Sequence, residues 1–295
     1  MGEGAVRPGV TVACLGDVML DVIVETSGGL VPDDDTPAEI TFAAGGQAAN
    51  VATWVTALGG RATLFGPRSD HGHGGLVESA LAARGVHVVG PHVDRPGTVV
   101  SLVTSGTRSM ASDPGDPTWL RHVAPGPWLE GADWLFVSGY ALLRSDAPDL
   151  LVEVAAAARD ARTRVAVDLA SAAMVEHYGA ARFRALWQAL EPAVVFANDA
   201  EWRATQGGDP GVVTRPGFGR GGRTVLVLKH GAAGAEFVID GVADHRAAEA
   251  STVVDVTGAG DSLTAGYLVG GADLAMRAAA RCVGHVGAQP PVEAT

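Results

Sequence analysis

Residues 254–264 read VDVTGAGDSLT, in which three small residues stand directly before Asp261 and an apolar, helix-compatible run follows it. Small residues let a backbone turn tightly and let a ligand approach it closely. The unpaired N–H groups at the start of the predicted helix, together with the positive end of its dipole, favour a bound anion. Because the carboxylate of Asp261 would repel that anion, it must have a task other than anion binding.

Outward from this stretch, short apolar runs alternate with alanine-rich helical stretches along most of the chain. The apolar runs predict buried parallel strands, and several end in Gly, Asp or Asn, where a loop should begin. The predicted strands are VTVACLG, ATLFG, WLFVSG, RVAVDLA, AVVFAN and TVLVLKHG, with helices at residues 48–58, 75–84, 149–159 and 181–190. This alternation predicts the α/β class, with a doubly wound, mostly parallel sheet flanked by helices. Such sheets bind ligands beyond the carboxyl ends of their strands.

Two segments break this alternation. Residues 21–42 and 98–111 carry alternating polar and apolar residues, as in TVVSLVTSGTRSM, with turn formers and no helical period. They predict a small, partly separate β-sheet that covers a site as a lid. Residues 207–223, rich in Gly and Pro, predict a surface loop around a short helix. We expect the chain, residues 1–295, to form one domain that carries this lid.

Composition and charge narrow the class of protein. With 295 residues, 47% apolar and 18% charged, the chain is expected to be globular, and no apolar run reaches the roughly 20 residues that span a bilayer. The formal net charge of −12 argues against a nucleic-acid partner, which requires a basic surface. Lys229 is the only lysine and does not follow a glycine-rich loop, which excludes a Walker-type phosphate loop. The opening residues show no secretory signal and Cys14 and Cys282 stand in apolar contexts, which predicts a reducing, cytoplasmic setting.

Further motifs accompany the first one. AGGQAANVATWVTALGG places Gly45 and Gly46 before Asn50 and a predicted helix, and ANDAEW places Asn198 and Glu201 three apart after a predicted strand. Together with LGDVMLD, RSDHGHGGLVESALAARGV, VSGY, KHGAAGA and DVTGAGD, in order between residues 10 and 290, they resemble the ribokinase-like (PfkB) family of carbohydrate and nucleoside kinases. The resemblance implies an enzyme that binds ATP with Mg²⁺ and transfers the γ-phosphoryl group to a hydroxyl, commonly a primary one, of a sugar or nucleoside.

The resemblance also implies a role for the first motif. Phosphoryl transfer passes through a loose transition state, so the protein mainly positions the reactants and stabilises charge on the transferring oxygens. Gly258, Ala259 and Gly260 would supply backbone donors to those oxygens, and Asp261 would accept the proton of the attacking hydroxyl. With an unperturbed pKa of about 3.9, Asp261 is a weak base whose position matters more than its basicity. The carboxylate would stand beside the anion because the acceptor hydroxyl lies between them.

The remaining implied roles concern the acceptor, the nucleotide and metal ions. Carboxylate, backbone and amide groups suit paired sugar hydroxyls, and they would come from Asp21, Gly45, Gly46 and Asn50. The nucleotide would be bordered by Asn198, Lys229, Gly231 and Gly234. Glu201 would help to hold Mg²⁺ through water, because Mg²⁺ keeps much of its hydration. Asp255 matches a position that in some members lies near a monovalent cation, so K⁺ is a further candidate cofactor.

Each motif taken alone has a structural alternative. GAGD could be a helix cap with Asp261 in the first turn, and Asn198 with Glu201 has the spacing of a capping box. Asn50 could be a satisfied polar residue at a helix start, and Lys229 could be a solvated residue at a strand end.

The acceptor is less defined than the reaction. We prefer a sugar to a nucleoside, because a purine usually stacks on aromatic side chains and the two lid segments contain only one, Phe42; Trp119 or Trp128 could supply another. A sugar phosphate ranks lower, because Arg108 is the only obvious cation for a second phosphate. Gln47 stands where ribokinases usually carry lysine, and RAAARCVGHVGAQP lacks an asparagine that often lies near adenine, which loosens the assignment further.

Two other classes of function are alternatives. A non-catalytic nucleotide- or sugar-binding regulator would share the fold, although the complete set of Asp261, its glycines and Glu201 argues for catalysis. A nicotinamide-dependent dehydrogenase is disfavoured, because no predicted strand is followed by G-x-G-x-x-G. The exposed strands of the small sheet should not remain unpaired, so we expect a homodimer in which two lids pair, as in relatives of this kind.

Overall fold

Two β-sheets organise the protein, whose computed structural model describes residues 9–104, 107–206, 224–249 and 251–291. The strands of the larger sheet are β1 (Thr11–Leu15), β4 (Arg61–Phe65), β5 (Val86–Val89), β8 (Trp134–Ser138), β9 (Arg164–Asp168), β10 (Val194–Asn198), β11 (Val225–Lys229), β12 (Ala235–Ile239) and β13 (Val242–Arg246). Their order across the nine-stranded sheet is β13-β12-β11-β10-β9-β8-β1-β4-β5. Neighbouring strands from β5 to β11 are parallel, and β12 and β13 add an antiparallel edge.

The parallel strands are apolar because both faces of this sheet are covered. In β8, for example, Phe136 packs into the core on one face, whereas Leu135 and Val137 pack into the core on the other. Successive side chains of a strand point to opposite faces, so a strand that is buried on both must be apolar throughout. All six strands predicted from apolar runs are present, and the doubly wound α/β fold is confirmed.

Helices form the outer layers on both faces. They are α1 (Gln47–Ala57), α2 (Gly74–Ala83), α3 (Gly139–Arg144), α4 (Pro148–Asp160), α5 (Ala172–Tyr178), α6 (Ala180–Ala189), α7 (Asp199–Ala204), α8 (Ala259–Gly270) and α9 (Ala272–Cys282). The helices α1, α2, α8 and α9 pack on one face, and α3 to α7 pack on the other. Within the part of the chain that the structure describes, none of the helices has the length and apolar character needed to cross a bilayer. The predicted loop at 207–223 lies outside the described residues.

The smaller sheet, which we call the lid, comes from the two segments that break the β-α alternation. It contains β2 (Met19–Thr26), β3 (Glu39–Gly45), β6 (Gly97–Thr104) and β7 (Thr107–Asp113), in the order β3-β2-β6-β7. The pair β2 and β6 is parallel, and the outer pairs are antiparallel. Asp21 lies opposite Ala43, and the next pair, Val22 and Phe42, projects from the other face. The predicted second sheet is therefore present, with Asp21 and Phe42 on opposite faces.

Candidate active site

The carboxyl ends of the parallel strands gather polar side chains at one edge of the nine-stranded sheet. The chain continues from β1 to β4 on one side of the sheet and from β8 to β9 on the other, so the topological switch lies between β1 and β8. Polar residues that end or closely follow these strands are Asp17, Ser138, Asp168, Asn198 and Lys229. This is the edge at which open α/β sheets bind ligands.

Helix α8 begins at a position that requires glycine. Gly258 is its N-cap residue with a left-handed φ of 74°, and a Cβ atom there would lie 2.6 Å from the Cα of Ala288. The N–H of Ala259 is donated to a carbonyl oxygen of the preceding loop at 3.3 Å. Helix geometry leaves the N–H groups of Gly260 and Asp261 without intrahelical acceptors. These two donors, at the positive end of the helix dipole, remain for an anion.

The Asp261 side chain binds helix α1 rather than capping its own helix. Nδ2 of Asn50 donates to Oδ2 of Asp261 at 2.8 Å, and Oδ1 of Asp261 accepts no hydrogen bond from the described residues. Burial raises the pKa of Asp261 to about 7, while the Asn50 hydrogen bond acts in the opposite direction. A carboxyl group with a pKa near neutrality is a much stronger base than the unperturbed pKa predicts.

The other half of the Asn50 amide remains available. Its Oδ1 atom is buried and has no hydrogen-bond partner among the described residues. Buried side-chain acceptors are nearly always satisfied by protein, water or ligand. The nitrogen of Asn50 thus orients Asp261, and its oxygen can accept a hydrogen bond from a ligand hydroxyl.

A buried ion pair lies on the other side of the helix entrance. Nζ of Lys229 is 2.7 Å from Oδ2 of Asp168, and a Cβ atom at Gly260 would lie 3.3 Å from the same Nζ. Burial by itself lowers the pKa of Lys229, but the carboxylates of Asp168 and Glu201 outweigh it and raise that pKa, so the ammonium stays charged. Lys229 is therefore a fixed positive charge beside the first turn of α8, and the alternative of a solvated lysine at a strand end does not apply.

Asn198 and Glu201 form a complete capping box at the start of α7. Oδ1 of Asn198 accepts the N–H of Glu201 at 2.8 Å, and Oε2 of Glu201 accepts the N–H of Asn198 at 2.8 Å. Nδ2 of Asn198 also donates to Oε1 of Glu201 at 2.7 Å. Burial raises the pKa of Glu201 to about 7, the charge of Lys229 lowers it and that of Asp168 raises it. The capping box, the structural alternative for this motif, is thus present. Glu201 also lies close enough to Lys229 and Asp168 for their charges to affect its pKa.

An apolar cavity of about 510 Å³ opens beside the Lys229 ammonium. It is lined by Lys229, Gly231, Ala232, Gly234, Ala248, Glu249, Ser251, Val253, Val256, Ala259, Gly260, Leu263, Met276, Ala279, Ala280 and Val283. Three of the four residues predicted to border the nucleotide are among them, whereas Asn198 is not. Gly234 has a φ of 100°, and a Cβ atom there would contact the carbonyl oxygen of Arg246, so this position also requires glycine.

The lid does not line this cavity, but it places the carboxylate of Asp21 close enough to Asp261 to affect its pKa. A Cβ atom at Gly45 would contact the carboxylate of Asp21, so glycine at this position makes room for that carboxylate. Burial raises the pKa of Asp21 to about 6, and the charge of Arg108 lowers it. Asp21 also contributes to the raised pKa of Asp261. Gly46 has a φ of 97°, and a Cβ atom there would contact the Asp17 carbonyl oxygen.

The structure adds residues that sequence reasoning missed. Asp168 lies at the end of β9 and is 1% exposed, and the rule that strand ends carry chemistry was the only signal for it. Tyr140, in the VSGY motif, has a pKa raised to about 12 by burial and by the charge of Asp261. Asp17 and Arg144 form a buried ion pair at 2.7 Å.

The structure places the two tryptophans that could supply a further aromatic surface beside Phe65. Trp119 is 2% exposed, and its ring centroid lies 6.5 Å from that of Phe65. The ring centroid of Trp128 lies 5.0 Å from that of Phe65, and its Nε1 donates to the carbonyl oxygen of Ala124. Both tryptophans therefore belong to the packing around Phe65.

Comparisons with known proteins assign this arrangement to a family. Residues 11–294 match the family described as pfkB family carbohydrate kinase, and the chain therefore belongs to the PfkB family. It is 28% identical to the fructokinase of Escherichia coli over 264 residues. The aligned region covers 87% of this chain and 82% of that protein.

Solved structures share the fold. The adenosine kinase from Sinorhizobium meliloti superposes with a TM-score of 0.80 at 24% identity, covering 96% of each chain. A probable sugar kinase from Rhizobium etli CFN 42 superposes with a TM-score of 0.79 at 22% identity, covering 98% of this chain and 96% of that one. The chain is thus similar both to kinases named for sugars and to one named for a nucleoside. Membership of the family indicates the type of reaction but does not identify the acceptor.

Proposed function

We propose that the protein is an ATP-dependent phosphotransferase that moves the γ-phosphoryl group to a hydroxyl, most simply a primary one, of a small neutral sugar. The observation that carries this proposal is the Asp261 carboxyl group. It has a pKa raised to about 7 and is held by Asn50 within the first turn of α8, beside free backbone donors. A base and an anion site at one helix entrance suit the two reactants of phosphoryl transfer.

The donor side follows from the apolar cavity. A volume of about 510 Å³ is sufficient for a nucleotide, and its walls are mainly apolar, as suits a base. The Lys229 ammonium and the first-turn N–H groups would stabilise negative charge on the transferring oxygens. These groups are in place before the reaction, so they need no reorganisation when charge develops.

We expect Mg²⁺ to bind on this donor side through water. Among the described residues, no cluster of three or more His, Cys, Asp and Glu side chains forms a metal centre by itself. Mg²⁺ in such sites is usually held by one or two carboxylates, water and substrate phosphates. Glu201 and Asp168 would hold it, and the ion would neutralise charge on the nucleotide phosphates.

On the acceptor side, each group has one task. Oδ1 of Asp261 would take the proton of the attacking hydroxyl, while Oδ2 remains bound to Asn50. The buried Oδ1 of Asn50 and the carboxylate of Asp21 would accept hydrogen bonds from further hydroxyls. Holding the hydroxyl between the base and the phosphate turns the transfer into an effectively unimolecular step.

The lid favours a neutral sugar over a nucleoside. Its only aromatic side chain, Phe42, is on the face opposite Asp21 and is 64% exposed. The negative charge of Asp21 acts on Asp261 and raises its pKa. Two carboxylates on the acceptor side would repel an acceptor that is itself anionic. A nucleoside remains the second candidate, because the Tyr140 ring lies near Asp261 and could stack on a base.

The test is an ADP-release screen over pentoses, hexoses, ketoses and nucleosides, run beside Asp261→Asn. We expect turnover with a neutral sugar and its loss in Asp261→Asn, with ATP binding retained. Turnover with nucleosides alone would transfer the proposal to the second candidate. ATP binding without phosphorylation of any acceptor would favour a binding regulator, and an active Asp261→Asn variant would refute the mechanism.

We further propose that the protein is a homodimer that joins two lids, in a reducing, cytoplasmic setting. The outward face of the lid carries apolar side chains that are largely exposed, with Phe42 at 64%, Ile40 at 53% and Val100 at 41%. Exposed apolar patches of this kind mark interfaces, and pairing would cover them. Cys14 and Cys282 are both free and buried.

A further inference from the structure

Arg108 reaches from the lid to the loop that precedes helix α8. Its strand position is opposite Val103 in β6, on the same face of the lid as Asp21. Nη2 of Arg108 donates to Oγ of Ser101 at 2.6 Å, and Nη1 lies 3.8 Å from Oδ1 of Asp255. The side chains of Arg108 and Asp255 are only 19% and 12% exposed, so this ion pair is shielded from solvent.

The Asp255 carboxylate is already occupied by donors. Oδ1 accepts the N–H of Thr257 at 2.9 Å and its hydroxyl at 2.7 Å, and Oδ2 accepts the N–H of Gly287 at 2.9 Å. A carboxylate offers roughly four acceptor positions, two on each oxygen, so these three hydrogen bonds leave one position on Oδ2. Arg108 makes no hydrogen bond to Asp255, and its positive charge faces Oδ1 at 3.8 Å. Burial by itself raises the pKa of Asp255, but these hydrogen bonds and the Arg108 charge outweigh it and hold that pKa below its usual value.

These contacts fix the approach to the helix entrance. Thr257 immediately precedes Gly258, and Gly258 packs against Ala288, which follows Gly287. Asp255 therefore ties together the two loops whose contact sets the start of α8. The lid touches the same place a second time, because a Cβ atom at Gly287 would lie 3.6 Å from Cδ1 of Ile23.

A monovalent cation does not fit Asp255 in this arrangement. The ion would share this carboxylate with the guanidinium of Arg108, and backbone and hydroxyl donors at 2.7–2.9 Å already take three of its roughly four acceptor positions. A cation bound to Asp255 would also be repelled by the nearby Arg108 guanidinium, and this repulsion is strong because both side chains are shielded from solvent.

We propose that Arg108 takes the place that a monovalent cation has near the equivalent carboxylate of some relatives, so that turnover does not depend on K⁺ and lid position is coupled to the α8 entrance. Arg108 is thus a positioning residue, which acts through Asp255 on the backbone donors at Gly260 and Asp261. The inference rests on the proposed phosphotransferase function for its kinetic part only.

The first measurement does not need activity. Thermal unfolding of the wild-type protein is compared in KCl, NaCl and choline chloride at equal ionic strength. A bound ion stabilises the folded state by mass action, so a K⁺ site would raise Tm specifically in KCl. We expect the three midpoints to agree within about 1 °C, and a K⁺-specific rise of more than about 2 °C would overturn the proposal.

The second measurement uses turnover in the same salts. We expect wild-type kcat to change less than about twofold between KCl and choline chloride, and kcat of Arg108→Ala to fall at least about tenfold, a loss expected when reacting groups are displaced. Arg108→Lys, which keeps the charge, should recover part of the loss. Arg95→Ala is the matched control, because it removes an exposed ion pair of the lid with Asp113, and it should retain kcat within about twofold.

The outcomes separate the two proposals. Activation of the wild type by K⁺, or an Arg108→Ala variant with wild-type kcat and an unchanged Tm, would overturn the role of Arg108. If no acceptor supports turnover, the phosphotransferase proposal fails, and the thermal comparison still decides whether K⁺ binds. A folded Arg108→Lys variant answers the kinetic question if Arg108→Ala does not fold.

Discussion

Replacing Asn50 by alanine should move the pH dependence of the reaction without removing the base. The Nδ2 atom of Asn50 donates to Oδ2 of Asp261 at 2.8 Å. This is the only hydrogen bond that the Asp261 carboxylate accepts from the described residues. That bond stabilises the ionised form, so Asn50→Ala raises the pKa of Asp261 further. In the proposed mechanism the ionised carboxylate accepts the proton, so kcat/KM should increase as pH rises through this pKa.

The size of the shift follows from the value of the bond. A hydrogen bond to a charged group contributes about 1.5 kcal/mol at the lower end of its range, and one pKa unit corresponds to about 1.4 kcal/mol. The pKa of Asp261, about 7 in the wild type, should therefore rise by about one unit. At pH 7 the ionised fraction falls from about one half to about one tenth, which lowers kcat/KM about fivefold.

The assay is kcat/KM for the acceptor, measured by ADP release between roughly pH 5.5 and 9.5. The plateau at high pH should also fall, because the proposed acceptor contact of Asn50 is lost, so the midpoint is the diagnostic quantity. Thr56→Ala is the control, since it removes a side-chain hydrogen bond from the same helix without touching Asp261. A midpoint that stays at its wild-type pH in Asn50→Ala, or moves to lower pH, would refute the reasoning.

Three further predictions concern stability and assembly. Gly258→Ala should lower the free energy of unfolding by at least about 1–2 kcal/mol from its left-handed backbone alone, with the contact to Ala288 adding to the loss; urea denaturation measures this, and unchanged stability would contradict it. Lys229→Met should cost about 3–5 kcal/mol because it leaves Asp168 buried and unpaired, and adding Asp168→Asn should restore part of it. Phe42→Asp should convert the homodimer into a monomer in sedimentation equilibrium, and a wild-type protein that is already monomeric at micromolar concentration would remove the dimer proposal.

The fold was readable from the sequence because its signals are local. Strands such as β8 and β10 are buried on both faces, so their apolar runs are continuous and bounded by turn residues. The observed helix α1, Gln47–Ala57, begins and ends one residue before the prediction, which is the usual uncertainty at helix ends. The lid was visible because its strands alternate, with Asp21 directed to one face and Val22 to the other.

The candidate site was only partly readable, because its geometry joins distant parts of the chain. The hydrogen bond between Asn50 and Asp261 spans 211 positions, and the ion pair between Lys229 and Asp168 spans 61. No spacing rule links such residues, so Lys229 could not be distinguished from a solvated lysine. The shift in the pKa of Asp261 was equally hidden, since it results from burial. Composition and motifs indicate which residue types are present, and only packing decides which of them meet.

The division of the site between two sheets has an evolutionary consequence. The acid and the backbone donors belong to α8, and the side chain that orients the acid belongs to α1, both of which pack on the larger sheet. Asp21 and Arg108 belong to the lid. Under the proposed function, mutations in the lid would alter which alcohol is accepted, while the residues of α8 and α1 that act in phosphate transfer stay unchanged. The substrate range of such a family could then widen through changes in one small module, the lid. Chimaeras that exchange only the lid between paralogues should keep the transfer reaction and acquire the acceptor selectivity of the lid donor.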